Sequence, residues 1–404
     1  MEIVLASNFD DVLVEATADL PVSTFFGNFP VGLTGGGRPP RILPAIDDER
    51  FRAHVRAVHG SGRRFNATLN SNDLALQEYR PGFERAFLAE VDHLLDLGVD
   101  GFVVALPLLI EILHRAHPEV PISVSSFARI RTVTQGEYFL RLGASILVLE
   151  EANRDFALLR GLLRRGATVE ILVNQSCLQG CPFRGHHLST SSIASQPGQP
   201  CPVLEYPIAE CGWAMVEDPR RLVSAIYVRP EDLAVYEEMG ISRFKVSGRN
   251  KPTPWLVRAA RAYAARSYPG NLLDIVSFVQ IRAPLQFLRS RPGPRSPPDP
   301  PGVRTLREAY ERLGEVSIDN RAFPKGFLRR IAATDCEHTS CDECGYCGAV
   351  AQKVLRIGGR PVSEYAPPPH TVPLDLLSGI PSDPPAVPAS FTPGMAPSPR
   401  APRP

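Results

Sequence analysis

The chain has 404 residues, which is enough for two or three domains or for one α/β barrel with additions. Hydrophobic residues make up 44% and charged residues 22%, so most of the chain has the composition of a globular protein with a core. The formal net charge is +1, which argues against a protein that mainly wraps nucleic acid or lies on anionic lipid. The 41 prolines are an excess, and many of them follow residue 290.

The beginning of the chain, MEIVLASNFDD, has no basic segment followed by an apolar run, so it does not resemble a secretory signal. The longest apolar stretch, 101–113, is far shorter than the ~20 residues of a membrane span. The sequence therefore predicts a soluble, cytoplasmic protein with no membrane span. In that compartment we expect cysteines to be reduced and available to metals.

Short apolar segments alternate with helix-length amphipathic segments up to about residue 250. The predicted strands are 3–6, 24–26, 65–69, 102–105, 122–125, 146–149, 169–173 and 244–246. The predicted helices include 83–97, 136–142, 156–163, 230–239 and 254–268, with Gly98, Gly143 and Gly240 as C-terminal stops. Eight such units predict the α/β class and a TIM-like (β/α)8 barrel. The alternative is a doubly wound sheet, which would need an early G-x-G-x-x-G that is missing.

The sequence divides into four segments by composition. Residues 1–275 form the predicted barrel, and 276–302 form an irregular region with a Pro-rich linker. A helix at 303–313 leads into a small cysteine-rich C-terminal segment that ends at residue 360. The Pro-rich tail, 361–404, has no periodic apolar pattern, so we expect it to be disordered.

All eight cysteines follow residue 176, in two groups of four. The first group is Cys177, Cys181, Cys201 and Cys211, and the second is Cys336, Cys341, Cys344 and Cys347. The second group is closely spaced, as x4, x2 and x2, which predicts a metal site that suits zinc and an iron–sulfur cluster equally. The first group is spread widely and needs a scaffold, which favours an enzyme cluster over a structural zinc.

Chemistry in such a barrel lies at the carboxyl ends of the strands, where Cys177 falls. The candidate catalytic residues are Arg249, Arg184, Glu151 and His186. We expect the two arginines to clamp a carboxylate, although each is equally suited to a surface ion pair. Glu151 is either a general base or a helix cap, and His186 is either a proton donor or a loop histidine. The run Gly35–Arg38 either cradles an anion or forms a turn.

Several phrases together resemble the collagenase-like peptidase family U-32 over roughly residues 1 to 270. They are ILVN with Ser176-Cys177 and Gly180-Cys181, the two later cysteines, and FKVSGR at 244–249. Thr68-Leu69-Asn70 and Ser125-Ser126-Phe127 are weaker matches to the family's Thr-Leu-Asn and Ser-Thr-Gln. The chain departs from the family in its short C-x3-C interval, in Ser247 in place of a Glu, in the missing Ala-Pro-Ala-Gly opening, and in the added second cysteine group.

The resemblance implies an oxygen-independent hydroxylase that carries a 4Fe-4S cluster on Cys177, Cys181, Cys201 and Cys211. It implies a small molecule or an RNA base as substrate and a prephenate-like oxygen donor, and it leaves a paralogous subunit open as a partner. The second cysteine group would hold a second 4Fe-4S cluster or zinc. The alternatives are a peptidase, for which neither G-x-S-x-G nor H-E-x-x-H is present, and a metal-stapled, non-catalytic RNA-binding scaffold.

Overall fold

The computed structural model describes residues 1–29, 32–202, 205–278 and 314–367, together with Glu308, Glu311 and the backbone of Ser382–Asp383. Eight strands of this chain form a closed, parallel barrel. The strands up to residue 246 are β1 (Glu2–Ala6), β2 (Val22–Gly27), β3 (Arg64–Leu69), β4 (Gly101–Val104), β5 (Ile122–Val124), β6 (Ile146–Leu149), β7 (Thr168–Leu172), the short non-barrel β8 (Cys201–Pro202), and β9 (Arg243–Val246).

Barrel closure depends on β1, which pairs with β2 on one side and with β9 on the other. Val4, for example, lies opposite Thr24 and Lys245. Each predicted strand corresponds to one of the eight barrel strands, which confirms the TIM-like (β/α)8 prediction. The strands were predictable because β-branched and aromatic residues form short apolar runs that are buried on both faces of a parallel sheet.

Helices separate the strands and cover the outside of the barrel. They are α1 (Asp11–Ala16), α2 (Asp48–Gly60), α3 (Phe83–Asp96), α4 (Pro107–Ala116), α5 (Val133–Arg141), α6 (Phe156–Arg164), α7 (Arg184–Ile193), α8 (Tyr206–Glu217), α9 (Arg221–Ser224), α10 (Leu233–Glu237) and α11 (Thr253–Ala265). Several helices begin after a residue whose side chain accepts a hydrogen bond from a backbone N–H of the first turn. Asp47 does so for α2 and Asp155 for α6. Thr132 and Gln135 form a reciprocal capping box at α5.

The predicted helix stops are confirmed, because Gly98, Gly143 and Gly240 have positive φ angles of 99°, 102° and 91°. One predicted helix differs, since 230–239 begins as a 3-10 turn at Pro230–Asp232 before α10 starts. The predicted helix at 303–313 lies outside the described residues, apart from Glu308 and Glu311.

The C-terminal part packs onto the barrel and shares its hydrophobic core. It contains an antiparallel sheet of β10 (Val316–Ile318), β11 (Leu355–Ile357) and β12 (Arg360–Pro361), and three helices, α12 (Phe327–Ala332), α13 (Cys341–Cys344) and α14 (Tyr346–Val354). Arg229 joins the two parts, because it pairs with Asp232 at 2.7 Å and lies over the ring of Phe323.

Ordered structure continues past residue 360, where we expected disorder to begin. Val362–Glu364 form a 3-10 turn, and the Tyr365 hydroxyl donates to the carbonyl of Val216 at 2.9 Å. Farther on, β13 (Ser382–Asp383) pairs antiparallel with β8. These contacts give part of the tail partners that composition alone does not reveal. The rest of the predicted disordered tail lies outside the described residues.

In the part of the chain that is described, no helix is both long and apolar enough to cross a bilayer.

Candidate functional site at the carboxyl ends of the strands

Polar side chains collect where the barrel strands end. The contributing residues are Ser7 after β1, Asn28 after β2, Asn70 after β3, Ser125 after β5, Glu150 after β6, Asn174 after β7, and Arg249 after β9. All of them are buried, although polar groups normally avoid burial unless they have partners. This end of the barrel, which we call the mouth, is therefore the candidate active site.

Cys177 lies in a buried cluster with Arg184 and Glu150. The Nη1 of Arg184 donates to the Cys177 Sγ at 3.1 Å, and its Nη2 pairs with the Glu150 carboxylate. Burial raises the pKa of the Cys177 thiol to about 12, even though Arg184 acts in the opposite direction. Arg184, predicted as a carboxylate clamp, is thus already engaged by a protein carboxylate and a thiol.

Three cysteines of the first group share one electrostatic environment. Burial raises the pKa of Cys211 well above its ordinary value, and Cys177 and Cys181 raise it further. Cys181 likewise raises the pKa of Cys177. Cys201 is buried in β8. The thiols of Cys177, Cys181 and Cys211 thus influence one another's pKa.

The chemistry of these donors fits a 4Fe-4S cluster, which takes one thiolate on each iron. All eight cysteines are free thiols rather than disulfides. Within the described residues, however, no three His, Cys, Asp or Glu side chains are arranged so that they could hold a metal ion. The donor chemistry of Cys177, Cys181, Cys201 and Cys211 therefore fits a cluster, whereas their arrangement among the described residues does not form a metal site.

The second cysteine group surrounds a sharp turn between two helices. Cys341 and Cys344 lie at the two ends of α13, Gly345 ends that helix with φ 63°, and Cys347 follows in the first turn of α14. Cys336 belongs to the same environment, because it raises the pKa of Cys347. The segment lies beside the mouth across a groove of about 660 Å³ that Glu151, Gln179 and Cys336 help to line.

Glu151 and His186 are two of the predicted catalytic residues. Glu151 is held in an ion pair, and His186 is exposed. Glu151 pairs with Arg129 at 2.7 Å, so its carboxylate already has a cationic partner. His186 is exposed near the ring of Tyr206, whereas its neighbour His187 is turned inward, 3.6 Å from Glu205. Burial lowers the pKa of His187 to about 3, so this imidazole is neutral.

Arg249, the fourth predicted catalytic residue, lies at the mouth with neutral partners. Its Nη1 donates to Asn28 Oδ1 and to Thr68 Oγ1, both at 2.8 Å. Both of its terminal nitrogens also donate to the carbonyl of Gly36 at 3.0 Å. Burial lowers the pKa of Arg249 to about 9, and the nearby Arg38 contributes to that shift.

Hydrogen bonds that the sequence did not reveal connect the buried Ser7 and His54 to the half-exposed Asp11. The Ser7 hydroxyl lies 2.7 Å from His54 Nε2, and His54 Nδ1 lies 2.7 Å from Asp11 Oδ1. Because a carboxylate only accepts hydrogen bonds, Nδ1–H donates to Asp11 and Nε2 accepts from Ser7. No motif predicts this grouping, because Ser7 and His54 are far apart in sequence and neither lies in a recognisable signature.

The Ser7 chain has the order of residues found in serine hydrolases, but it is enclosed. Ser7 is 1% exposed, and Phe9, Phe51 and Phe65 pack around His54 and one another. The backbone N–H of Phe9 also donates to the Ser7 hydroxyl at 2.9 Å. A substrate therefore has no path to this hydroxyl in the structure, and the chain of hydrogen bonds joins β1 to α1 and α2.

Comparisons with known proteins agree with the resemblance noted in the sequence. Residues 41–155 match the model of peptidase family U32. An uncharacterized protease, MJ1657, of Methanocaldococcus jannaschii is 24% identical over 326 residues, which cover 80% of this chain and 86% of that protein.

Two solved structures are similar to parts of this chain, with TM-scores below 0.5. The U32 peptidase Mk0906 is 18% identical with a TM-score of 0.45, over 61% of this chain and 93% of that one. The citrate synthase SbnG is 12% identical with a TM-score of 0.28, over 42% of this chain and 76% of that one. Residues 41–155 of this chain are thus similar to peptidase family U32, and about four-fifths of the chain is similar to the relative from Methanocaldococcus.

Proposed function

We propose that the chain is an iron–sulfur oxidoreductase that hydroxylates a small molecule or an RNA base without dioxygen. The observation that supports this most directly is the common environment of Cys177, Cys181 and Cys211 at the barrel mouth. Together with Cys201 they would hold a 4Fe-4S cluster, which supplies electron transfer when bound. A reducing compartment such as the cytoplasm suits eight free thiols.

The protein's own residues would stabilise the charge of the thiolates. A guanidinium in contact with Cys177 favours the charged form of that ligand, and Glu150 holds the guanidinium in place. Arg184 would therefore be a positioning residue, one that acts through Cys177. Arg249 would face the substrate or a prephenate-like oxygen donor.

The second cysteine group would bind zinc or a second 4Fe-4S cluster beside the mouth. Its three closely spaced cysteines around Gly345 support either metal. A substrate RNA and a paralogous subunit are further proposed partners. The groove of about 660 Å³, which Cys336 of the second group helps to line, is where a substrate would bind beside that group.

Comparison of a deletion strain with complemented strains tests the hydroxylase proposal. The strains carry the wild type, the Cys177→Ser variant or, as a control outside both cysteine groups, the exposed-carboxylate variant Glu84→Gln. Mass spectrometry of digested RNA and of extracted small molecules should show a loss of one hydroxyl in the deletion strain. The wild type and E84Q should restore this hydroxyl and C177S should not. If every hydroxylated base and small molecule is unchanged in the deletion strain, the proposal fails.

One observation favours a peptidase activity, which is that hydrogen bonds connect Ser7, His54 and Asp11 in the order found in serine hydrolases. The 1% exposure of Ser7 opposes it. We therefore assign that chain of hydrogen bonds to the stability of the fold.

A further inference from the structure

Large apolar side chains are exposed on the outside of the barrel, around the start of α3 and α4. Leu76 is 71% exposed, Tyr79 is 79% exposed, and Leu108 in the first turn of α4 is 43% exposed. Leu108 lines a groove of about 760 Å³ together with Glu78 and Arg80, the two sequence neighbours of Tyr79. Single exposed apolar residues are ordinary, but several around one groove are typical of an interaction site.

The loop that presents Leu76 is held in a fixed conformation. Ala75 and Leu76 have φ angles of 51° and 63°, a left-handed conformation that is unfavourable for residues with a Cβ. The Ala75 N–H donates to Asp73 Oδ1 at 2.9 Å, and Gln77 Nε2 donates to Gln196 Oε1 at 2.7 Å. The apolar side chain is therefore positioned before a partner binds, which lowers the entropic cost of association.

Charged groups beside these apolar residues lack partners within the described part of the chain. Oε2 of Glu78 is buried without a hydrogen-bond partner. Arg80 and Arg85 are exposed, and neither forms an ion pair with a described residue. Glu84, by contrast, pairs with Arg115 at 2.7 Å. A buried carboxylate oxygen without a donor calls for an N–H group from another molecule.

The mixture of charges along the groove indicates the kind of partner. Three carboxylates line it beside the two arginines, namely those of Glu78, Glu84 and Asp92. An RNA backbone needs a predominantly basic surface, which this groove is not. A surface with an unpartnered carboxylate oxygen and unpaired guanidinium groups is instead complementary to itself. In a twofold arrangement each surface meets an identical one, so the carboxylate of one copy faces the arginines of the other.

We propose that this face of the barrel is the interface of a twofold dimer of the chain. The face consists of Leu76, Glu78, Tyr79, Arg80, Arg85 and Leu108. The apolar side chains form the centre of the interface, and Glu78 of each copy pairs with Arg80 and Arg85 of the second copy. Tyrosine and arginine are among the residues that contribute most to such interfaces. The dimer does not depend on the proposed function, because no residue of this face belongs to either cysteine group.

Sedimentation velocity of the full-length chain over a range of concentrations tests the apolar part of the interface. The wild type should be a dimer. The double variant Leu76→Asn/Tyr79→Ser should raise the dissociation constant of the dimer about tenfold or more. Asparagine tolerates the left-handed conformation at position 76, and urea denaturation confirms that the variant is folded. Tyr138→Ser is the matched control, since this aromatic residue on α5 is also 50% exposed, and it should dimerise as the wild type does.

Reversal of the charges tests the twofold pairing. Glu78→Arg alone and Arg80→Glu/Arg85→Glu alone should each be monomeric, because like charges then face one another across the axis. An equimolar mixture of E78R with R80E/R85E should form a mixed dimer, because both halves of its interface pair opposite charges. A mere loss of folding in either variant does not produce this recovery.

A wild type that stays monomeric at every concentration would overturn the proposal. A dimer that L76N/Y79S leaves unchanged would overturn it as well, because the copies would then meet through another surface. So would a monomer that binds single-stranded RNA oligonucleotides and loses this binding in Tyr79→Ser, since the face would then serve a nucleic acid.

Discussion

At the scale of single residues, His54 shows how burial sets a protonation state. Burial lowers the pKa of His54 and outweighs the hydrogen bond to Asp11, so the folded protein keeps this imidazole neutral. The sequence showed the two cysteine groups, but it did not show the hydrogen-bond partners of His54. A pair such as Ser7–His54 depends on three-dimensional packing. For the same reason the partners of Arg184 were not predictable, although its position beside the cysteines was.

Ser7→Ala should reduce the free energy of unfolding by about 1–3 kcal/mol, because His54 Nε2 would be left as a buried acceptor without a donor. Urea denaturation measures this change. Ser61→Ala, which removes a part-buried hydroxyl at the end of α2, is the control and should cost less. Labelling of Ser7 by a fluorophosphonate probe in the native protein would contradict the structural role.

The same imidazole predicts a pH effect. Its pKa is lower in the folded state than in the unfolded chain, so the unfolded chain binds the extra proton. Stability should therefore be fully present above about pH 6.5 and should fall as the pH decreases below that value. Because other groups titrate in the same range, the quantity to measure is the difference between the urea midpoints of the wild type and His54→Gln, which should shift in favour of the wild type between pH 5 and 8.

Glu90 predicts the opposite dependence on pH. Burial raises the pKa of this carboxyl to about 7 and outweighs the opposing effect of the backbone N–H groups of Thr34 and Leu33. The folded state therefore binds more protons, and stability should fall as the pH rises from about 4.5 through 7. At pH 8 Glu90→Gln should be more stable than the wild type by up to about 3 kcal/mol, and at pH 4.5 the difference should vanish.

Urea denaturation at the two pH values measures the effect of Glu90. Glu84→Gln, an exposed carboxylate on the same helix that pairs with Arg115, is the matched control and should change stability little. A gain in E90Q that is equal at both pH values would show that this carboxyl does not titrate as described.

At the scale of helices and strands, most of the correct predictions concern features that the local sequence determines. Each barrel strand is a short apolar run, and the stops at Gly98, Gly143 and Gly240 mark helix ends because an αL residue is favoured there. The predictions differed from the structure where tertiary contacts decide, as in the 3-10 turn at Pro230–Asp232 and the ordered residues after 360. Periodicity alone does not contain those contacts.

Gly143→Ala should destabilise the protein by several kcal/mol. Its φ of 102° is unfavourable for alanine, and a Cβ there would lie 2.1 Å from the Cγ of His114. Gly240→Ala is the matched control, because its φ of 91° carries the same backbone penalty but no atom lies within 4 Å of the added carbon. It should cost only about 1–2 kcal/mol.

Thermal and urea unfolding compare the two glycine variants. Equal losses in G143A and G240A would mean that the contact with His114 relaxes without cost and that only the backbone conformation matters.

At the scale of the whole molecule, the two cysteine groups lie on different parts of one connected core. The first group depends on barrel strands and helices, and the second on a turn of the C-terminal part, which an ion pair between Arg131 and Glu337 also holds to the barrel. Their separation along the chain was evident from the sequence. The groove that Cys336 shares with Glu151 and Gln179 was not, because it depends on how the C-terminal part docks on the barrel.

The most direct test of the iron–sulfur proposal is the iron and acid-labile sulfide content of the full-length chain, purified without oxygen. The double variants Cys177→Ser/Cys181→Ser and Cys341→Ser/Cys344→Ser are compared with the wild type, and urea denaturation confirms that each is folded. The account predicts that the first variant loses about four irons with matching sulfide, and that the second keeps them. Unchanged iron in C177S/C181S, or zinc without iron in the wild type, would contradict it.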